Sequence, residues 1–157
     1  MTTHLQGRPR TERSGRFAGK LVLVLLDNRD RPAVRNGRSL WALQRPLEYQ
    51  TGPDPEELIL VPAGFVTDLA SVPRIVWSFY PPDGPWAKAA VIHDFLYFTK
   101  GTGEWHGRAG ITRSTPYSRK DADDILKEAM ADRRVGKWEQ LVIWLSVRLG
   151  GAGGWGD

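Results

Sequence analysis

The chain has 157 residues, no cysteine and a formal net charge of +4. That length suits a single domain with a real core. Without cysteine there are no disulfides and no thiolate metal sites, so any metal must be held by His, Asp, Glu or water.

Residues 1–16 are polar and basic, with Arg8, Arg10, Arg13 and Arg16 against Glu12 alone. This stretch reads first as a flexible solvated arm and second as a contact for an acidic partner or nucleic acid, the latter disfavoured. Residues 17–149 are expected to form one α+β domain, and the Gly-rich residues 150–157 a flexible tail carrying Trp155. No apolar run reaches the roughly 18 residues that mark a membrane span. The run Leu21–Leu26 is too short and lacks a signal-peptide cleavage site.

Within the domain, Lys20–Asp27 holds that continuous apolar run and predicts a buried strand. Ser39–Leu47 and Leu58–Val61 predict two more strands, and Pro62-Ala63-Gly64 turns the chain into Phe65-Val66-Thr67. Pro73 ends any extended segment there, since it cannot donate to a ladder. Ile75–Tyr80 predicts one helical turn before the break at Pro81–Pro85. A helix follows from Trp86 to Phe98, with Pro85 suited to its first position and Gly84 to its cap. Thr99–Tyr117 is a long Gly-rich loop. Ser118 and Asp121 form a capping-box pattern, ahead of a stripe of Ala122, Ile125, Leu126, Ala129 and Met130 at helical spacing. The last helix, Lys137–Leu149, is apolar nearly all round: Trp138, Leu141, Val142, Leu145 and Leu149 on one face, with Ile143, Trp144 and Val147 on the other. Such a helix is buried or meets a partner. Strands first and helices second give α+β: N-terminal antiparallel strands followed by about three helices packed on the sheet.

Ionisable residues set in apolar runs are the functional signal, because a buried charge needs a partner. Asp68 leaves a strand end; His93 and Asp94 sit in Ala89–Tyr97; Asp123 lies at the margin of its helix's apolar stripe. These four are the candidate catalytic residues. They are also the candidate ligands of one divalent cation (Zn, Mn or Mg), through imidazole nitrogen and carboxylate oxygen. Such an ion would activate water for hydrolysis. Ser71, Arg74, Tyr97 and Arg119 are the candidate binding residues around them. Arg119 and Asp123 are four apart and are expected to pair. The competing reading is structural: Asp68 caps its own turn, His93 is a satisfied core histidine, and Asp94 pairs with Arg74 or Arg119 to fix how the helices dock. A Ser71 nucleophile is disfavoured, because no glycine elbow surrounds it.

Three motifs carry a resemblance: Phe65-x-Thr67-Asp68-x-Ala70-Ser71-x-Pro73, His93-Asp94-x-x-Tyr97, and Arg119-x-x-Ala122-Asp123 with a later Met130. Together they resemble a phage- and prophage-associated family of small proteins of unknown function. The resemblance implies a phage or prophage origin and brings no established activity. The His93-Asp94 step is also similar to that of metal phosphohydrolases, which need a second, upstream His; this chain has only His4 there. The resulting expectation is a virion-associated, tail-type protein located in the virion or the host cytoplasm. It would contact other phage structural proteins, or itself, through the last helix and tail. The alternative is a metal-assisted hydrolase acting on cell wall or another polymer.

Overall fold

The computed structural model describes residues 13–14, 16–28, 31–32, 34–35, 37–69 and 84–155. Its order is short antiparallel strands, then three helices, the α+β arrangement expected of the sequence.

The larger sheet runs Arg13–Ser14, Phe17–Ala18, Leu47–Gln50, Leu58–Val61, all antiparallel. Successive side chains of a strand face opposite sides. Leu47 and Tyr49 alternate into the core on one strand; Ile59 and Val61 do so on the next. The register sets Leu47 opposite Val61 and Tyr49 opposite Ile59, so the four form one apolar face. A slip of one residue would turn the buried Ile59 and Val61 outward and break this face.

The second sheet runs Val66–Thr67, Trp41–Leu43, Leu23–Leu25. Here the buried strand expected over Lys20–Asp27 needs correction. Leu23–Leu25 alone joins this sheet, it lies at the sheet's edge, and Val22, Val24 and Leu25 are exposed; Asp27 begins a separate two-residue strand, Asp27–Asn28. An apolar run alone does not say which strand ends up at an edge.

Helix α1 (Ala87–Phe98) is central, with nine of its twelve residues buried. Trp86 takes the N-cap position, two residues later than the Gly84 cap read from sequence, and the Ala87 amide donates to the Gly84 carbonyl at 2.9 Å. Helix α2 (Arg119–Asp132) packs against α1 and opens with the expected capping box between Ser118 and Asp121. Glu128 ties α2 to the larger sheet: its carboxylate accepts from Tyr49 Oη and the Gly52 amide, both at 3.0 Å, and pairs with Arg16. Helix α3 (Lys137–Gly150) packs on α2 and buries Ile143 and Val147.

The segment between α1 and α2 is more ordered than a Gly-rich loop suggests. It contains a hairpin, Glu104–Trp105 with Arg108–Ala109, and Ile111 bridges to Ile59. Gly101 closes it: φ is +76°, and a Cβ there would lie 1.8 Å from the Tyr117 carbonyl oxygen. Only glycine meets both conditions without strain. After α3, residues Ala152–Trp155 form a 3₁₀ turn that seats the Trp155 ring edge-on against Tyr97, centroids 5.0 Å apart. The expected helical turn at Ile75–Tyr80 lies outside the described residues.

Candidate functional site

His93 and Tyr97 are one helical turn apart on α1, so both face α2, and their rings stack at 4.1 Å between centroids. Opposite them, one turn into α2, stands Asp123, with no solvent exposure at all. Its Oδ1 accepts from Tyr97 Oη at 2.6 Å and lies 2.8 Å from His93 Nε2. Its Oδ2 accepts from Arg148 Nη1 of α3 at 2.7 Å. One buried carboxylate thus joins all three helices, and its charge is met by hydrogen-bonded donors, as burial demands.

Asp94 points about 100° round α1 from His93, toward the strand end. There Thr67 Oγ1 donates to Asp94 Oδ2 and accepts from the Leu69 amide at 3.0 Å. Leu69 holds a left-handed φ of 53°, a conformation uncommon outside glycine and found at constrained sites. The His93 Nδ1 atom lies 3.9 Å from Asp94 Oδ1. That is ion-pair range, too long for a direct hydrogen bond.

Arg119 does not pair with Asp123 as its spacing suggested. Its Nε donates to Tyr97 Oη at 3.2 Å, and its Nη2 to the carbonyls of Val147 and Arg148 at 3.1 and 2.8 Å. The last carbonyls of a helix lack intrahelical donors and carry its negative dipole end, so they compete well for a guanidinium. Arg148 takes the place beside Asp123 instead. Sequence reasoning missed Arg148 and Thr67 as partners. Thr67 sat inside a recognised motif; Arg148, from a distant helix, gave no local signal.

Burial alone would lower the His93 pKa, but the hydrogen bond to Asp123 and the neighbouring Asp94 carboxylate outweigh it and hold the imidazole above its ordinary 6.5. Burial alone would raise Asp123; the bonds from His93, Tyr97 and Arg148 outweigh that and hold it below its ordinary 3.8. The Tyr97 phenol is pushed up to about 12, first by burial and then by its bond to Asp123. The pair therefore favours an anionic Asp123 beside a readily protonated His93.

The model of a family described as proteins of unknown function, DUF1353, matches residues 41–147. The chain belongs to DUF1353. The DUF1353 match takes in Thr67, Asp68, His93, Asp94, Tyr97, Arg119 and Asp123, and stops one residue short of Arg148. No curated protein and no solved structure matches the chain.

The sequence-derived residues thus fall into three groups. His93, Asp123, Tyr97 and Arg119 join in one network, with Asp94 at its edge. Asp68 is half-buried at the end of the Val66–Thr67 strand. Ser71 and Arg74 lie outside the described residues. Of the four candidate cation ligands, His93 Nε2 and both Asp123 oxygens are engaged with each other, Tyr97 and Arg148. Among the described residues, no group of three acidic or imidazole side chains could hold an ion.

What the arrangement can do follows from the imidazole. Its Nε2 faces Asp123 and its Nδ1 lies on the Asp94 side. A histidine so oriented by a buried carboxylate is built to accept a proton and to stabilise the imidazolium that results.

Proposed function

We propose that this protein is a hydrolase in which His93, oriented by Asp123, acts as general base toward water. The observation that carries the proposal is the 2.8 Å contact of His93 Nε2 with the fully buried Asp123. It holds the imidazole in one orientation against a buried carboxylate. A water that reaches the imidazole gives its proton to the ring, and its oxygen attacks the electrophilic carbon of an ester or amide. The imidazolium, stabilised by Asp123, returns that proton to the leaving oxygen or nitrogen as the tetrahedral intermediate collapses. Tyr97 and Arg148 hold Asp123 in place, and Arg119 holds Tyr97. These are positioning roles.

The motif resemblance supplies the setting. In a phage or prophage, a virion-associated hydrolase would act on the cell wall or another polymer of the host envelope. The decisive comparison is wild type against His93→Gln and Asp123→Asn on isolated cell-wall polymer and on chromogenic acyl esters. General-base removal lowers turnover by about 10²–10⁴-fold. Hydrolysis unchanged in folded His93→Gln, or none by the wild type on either substrate class, leaves the polar network as a brace within a virion component.

A further inference from the structure

Helix α3 has a second face that the fold does not use. Ile143 and Val147 define its buried side. Trp138, Leu141, Leu145 and Leu149 recur at intervals of three and four on the other side and remain 67%, 37%, 41% and 85% exposed. An aligned row of one Trp and three Leu on one helix is more than scattered surface apolarity.

Length and charge point to what covers it. Fourteen residues make a helix about 21 Å long, short of a bilayer core of roughly 30 Å. No described helix is long and apolar enough to cross a membrane. Exposed Arg134 and Lys137 stand at the start of α3, and exposed Lys127 holds its ammonium 5.1 Å from the Trp144 ring at the helix margin. Glu139 is the helix's one acid. Leu and Trp on one face with cations at its edge is the pattern of helices that lie in the plane of an anionic interface, where Trp sits at headgroup level.

We propose that the exposed face of α3 seats the protein on an anionic lipid surface. A second copy would meet this face with the same cationic margin, whereas an anionic bilayer complements it. The helix is fixed to the body at its C-terminal half, where Arg148 reaches Asp123 and Arg119 holds the Val147 and Arg148 carbonyls. The network around the His93–Asp123 pair therefore anchors α3 beneath its exposed face. The proposal stands whether or not that pair is catalytic.

The test is co-sedimentation of the full chain with phosphatidylcholine vesicles, with and without one third phosphatidylglycerol, beside light scattering of the free protein. Leu145→Ser with Leu149→Ser, and Lys137→Glu, change exposed residues, and thermal melts confirm that each variant folds. The expected result is binding to the anionic vesicles that weakens as salt rises and falls about tenfold or more in the double Leu variant. Lys137→Glu should reduce the preference for anionic over neutral vesicles. The proposal is overturned by absence of binding to anionic vesicles, by binding indifferent to these substitutions, or by a lipid-free dimer that the double Leu variant dissolves.

Discussion

Replacing Asp123 by alanine tests the core of the network. The carboxylate has no solvent exposure and meets three donors: His93 Nε2 at 2.8 Å, Tyr97 Oη at 2.6 Å and Arg148 Nη1 at 2.7 Å. Its removal leaves an imidazole and a phenol facing a small apolar void. Breaking a buried pair from one side costs about 3–5 kcal/mol. In a domain of this size each kcal/mol moves Tm by about 2–4 °C, so the expected loss is about 6–20 °C. The control is next door. Asp124 points outward, its side chain 44% exposed, and pairs with Lys120 one turn away. Asp124→Ala should cost within about 0.5 kcal/mol. Urea melts of both variants, with m-values compared to confirm two-state unfolding, give the difference directly. Equal losses, or an Asp123→Ala cost below about 1 kcal/mol, would refute the claim that this carboxylate organises the three helices.

The same network predicts a pH dependence. His93 is raised above 6.5, so its contribution is complete below pH 6.5 and is lost as pH climbs through the raised value. Asp123 is lowered below 3.8, so its contribution is present above pH 3.8 and disappears as pH falls through the lowered value. The Tm gap between wild type and His93→Gln should therefore narrow on the alkaline side; a gap that widens there reverses the sign of the argument. Glu128→Ala should cost about 1.5–3 kcal/mol in denaturant melts, because Tyr49 Oη and the Gly52 amide lose their acceptor; a neutral effect would mean that α2 docks without it. Gly101→Ala should lower stability by about 1–3 kcal/mol or more, since φ is +76° and the Tyr117 carbonyl occupies the Cβ position; an unchanged melt contradicts that loop geometry. Zn²⁺, Mn²⁺ or Mg²⁺ should leave Tm unchanged, because His93 and Asp123 are engaged with each other; a concentration-dependent rise would show a bound ion by linkage.

Much of this was legible in local pattern. The capping box at Ser118 and the stripe from Ala122 to Met130 fixed the phase of α2, and with it Asp123 facing inward and Asp124 outward. The same period accounts for His93 and Tyr97 standing on one side of α1 in the structure. Tertiary competition was not legible. Arg119 and Asp123 have the right spacing to pair, but nothing local reveals that α3 ends beside Arg119 and offers it free carbonyls. Helix α3 carries apolar residues on both faces, so periodicity could not choose between Ile143 and Val147 and the row from Trp138 to Leu149. The run Leu21–Leu26 failed for a related reason: apolarity predicts a strand, while burial depends on what lies beside it.

The most direct test of the proposed chemistry is ¹⁵N NMR of the His93 imidazole, followed through pH in wild type and Asp123→Asn. In the wild type, the neutral ring should carry its proton on Nε2, toward Asp123, with Nδ1 unprotonated. Its pKa should lie above 6.5 and fall in Asp123→Asn. A ring protonated on Nδ1 when neutral, or an imidazolium that keeps both protons until the protein unfolds in alkali, would contradict a general base and leave His93 as a fixed brace between the helices.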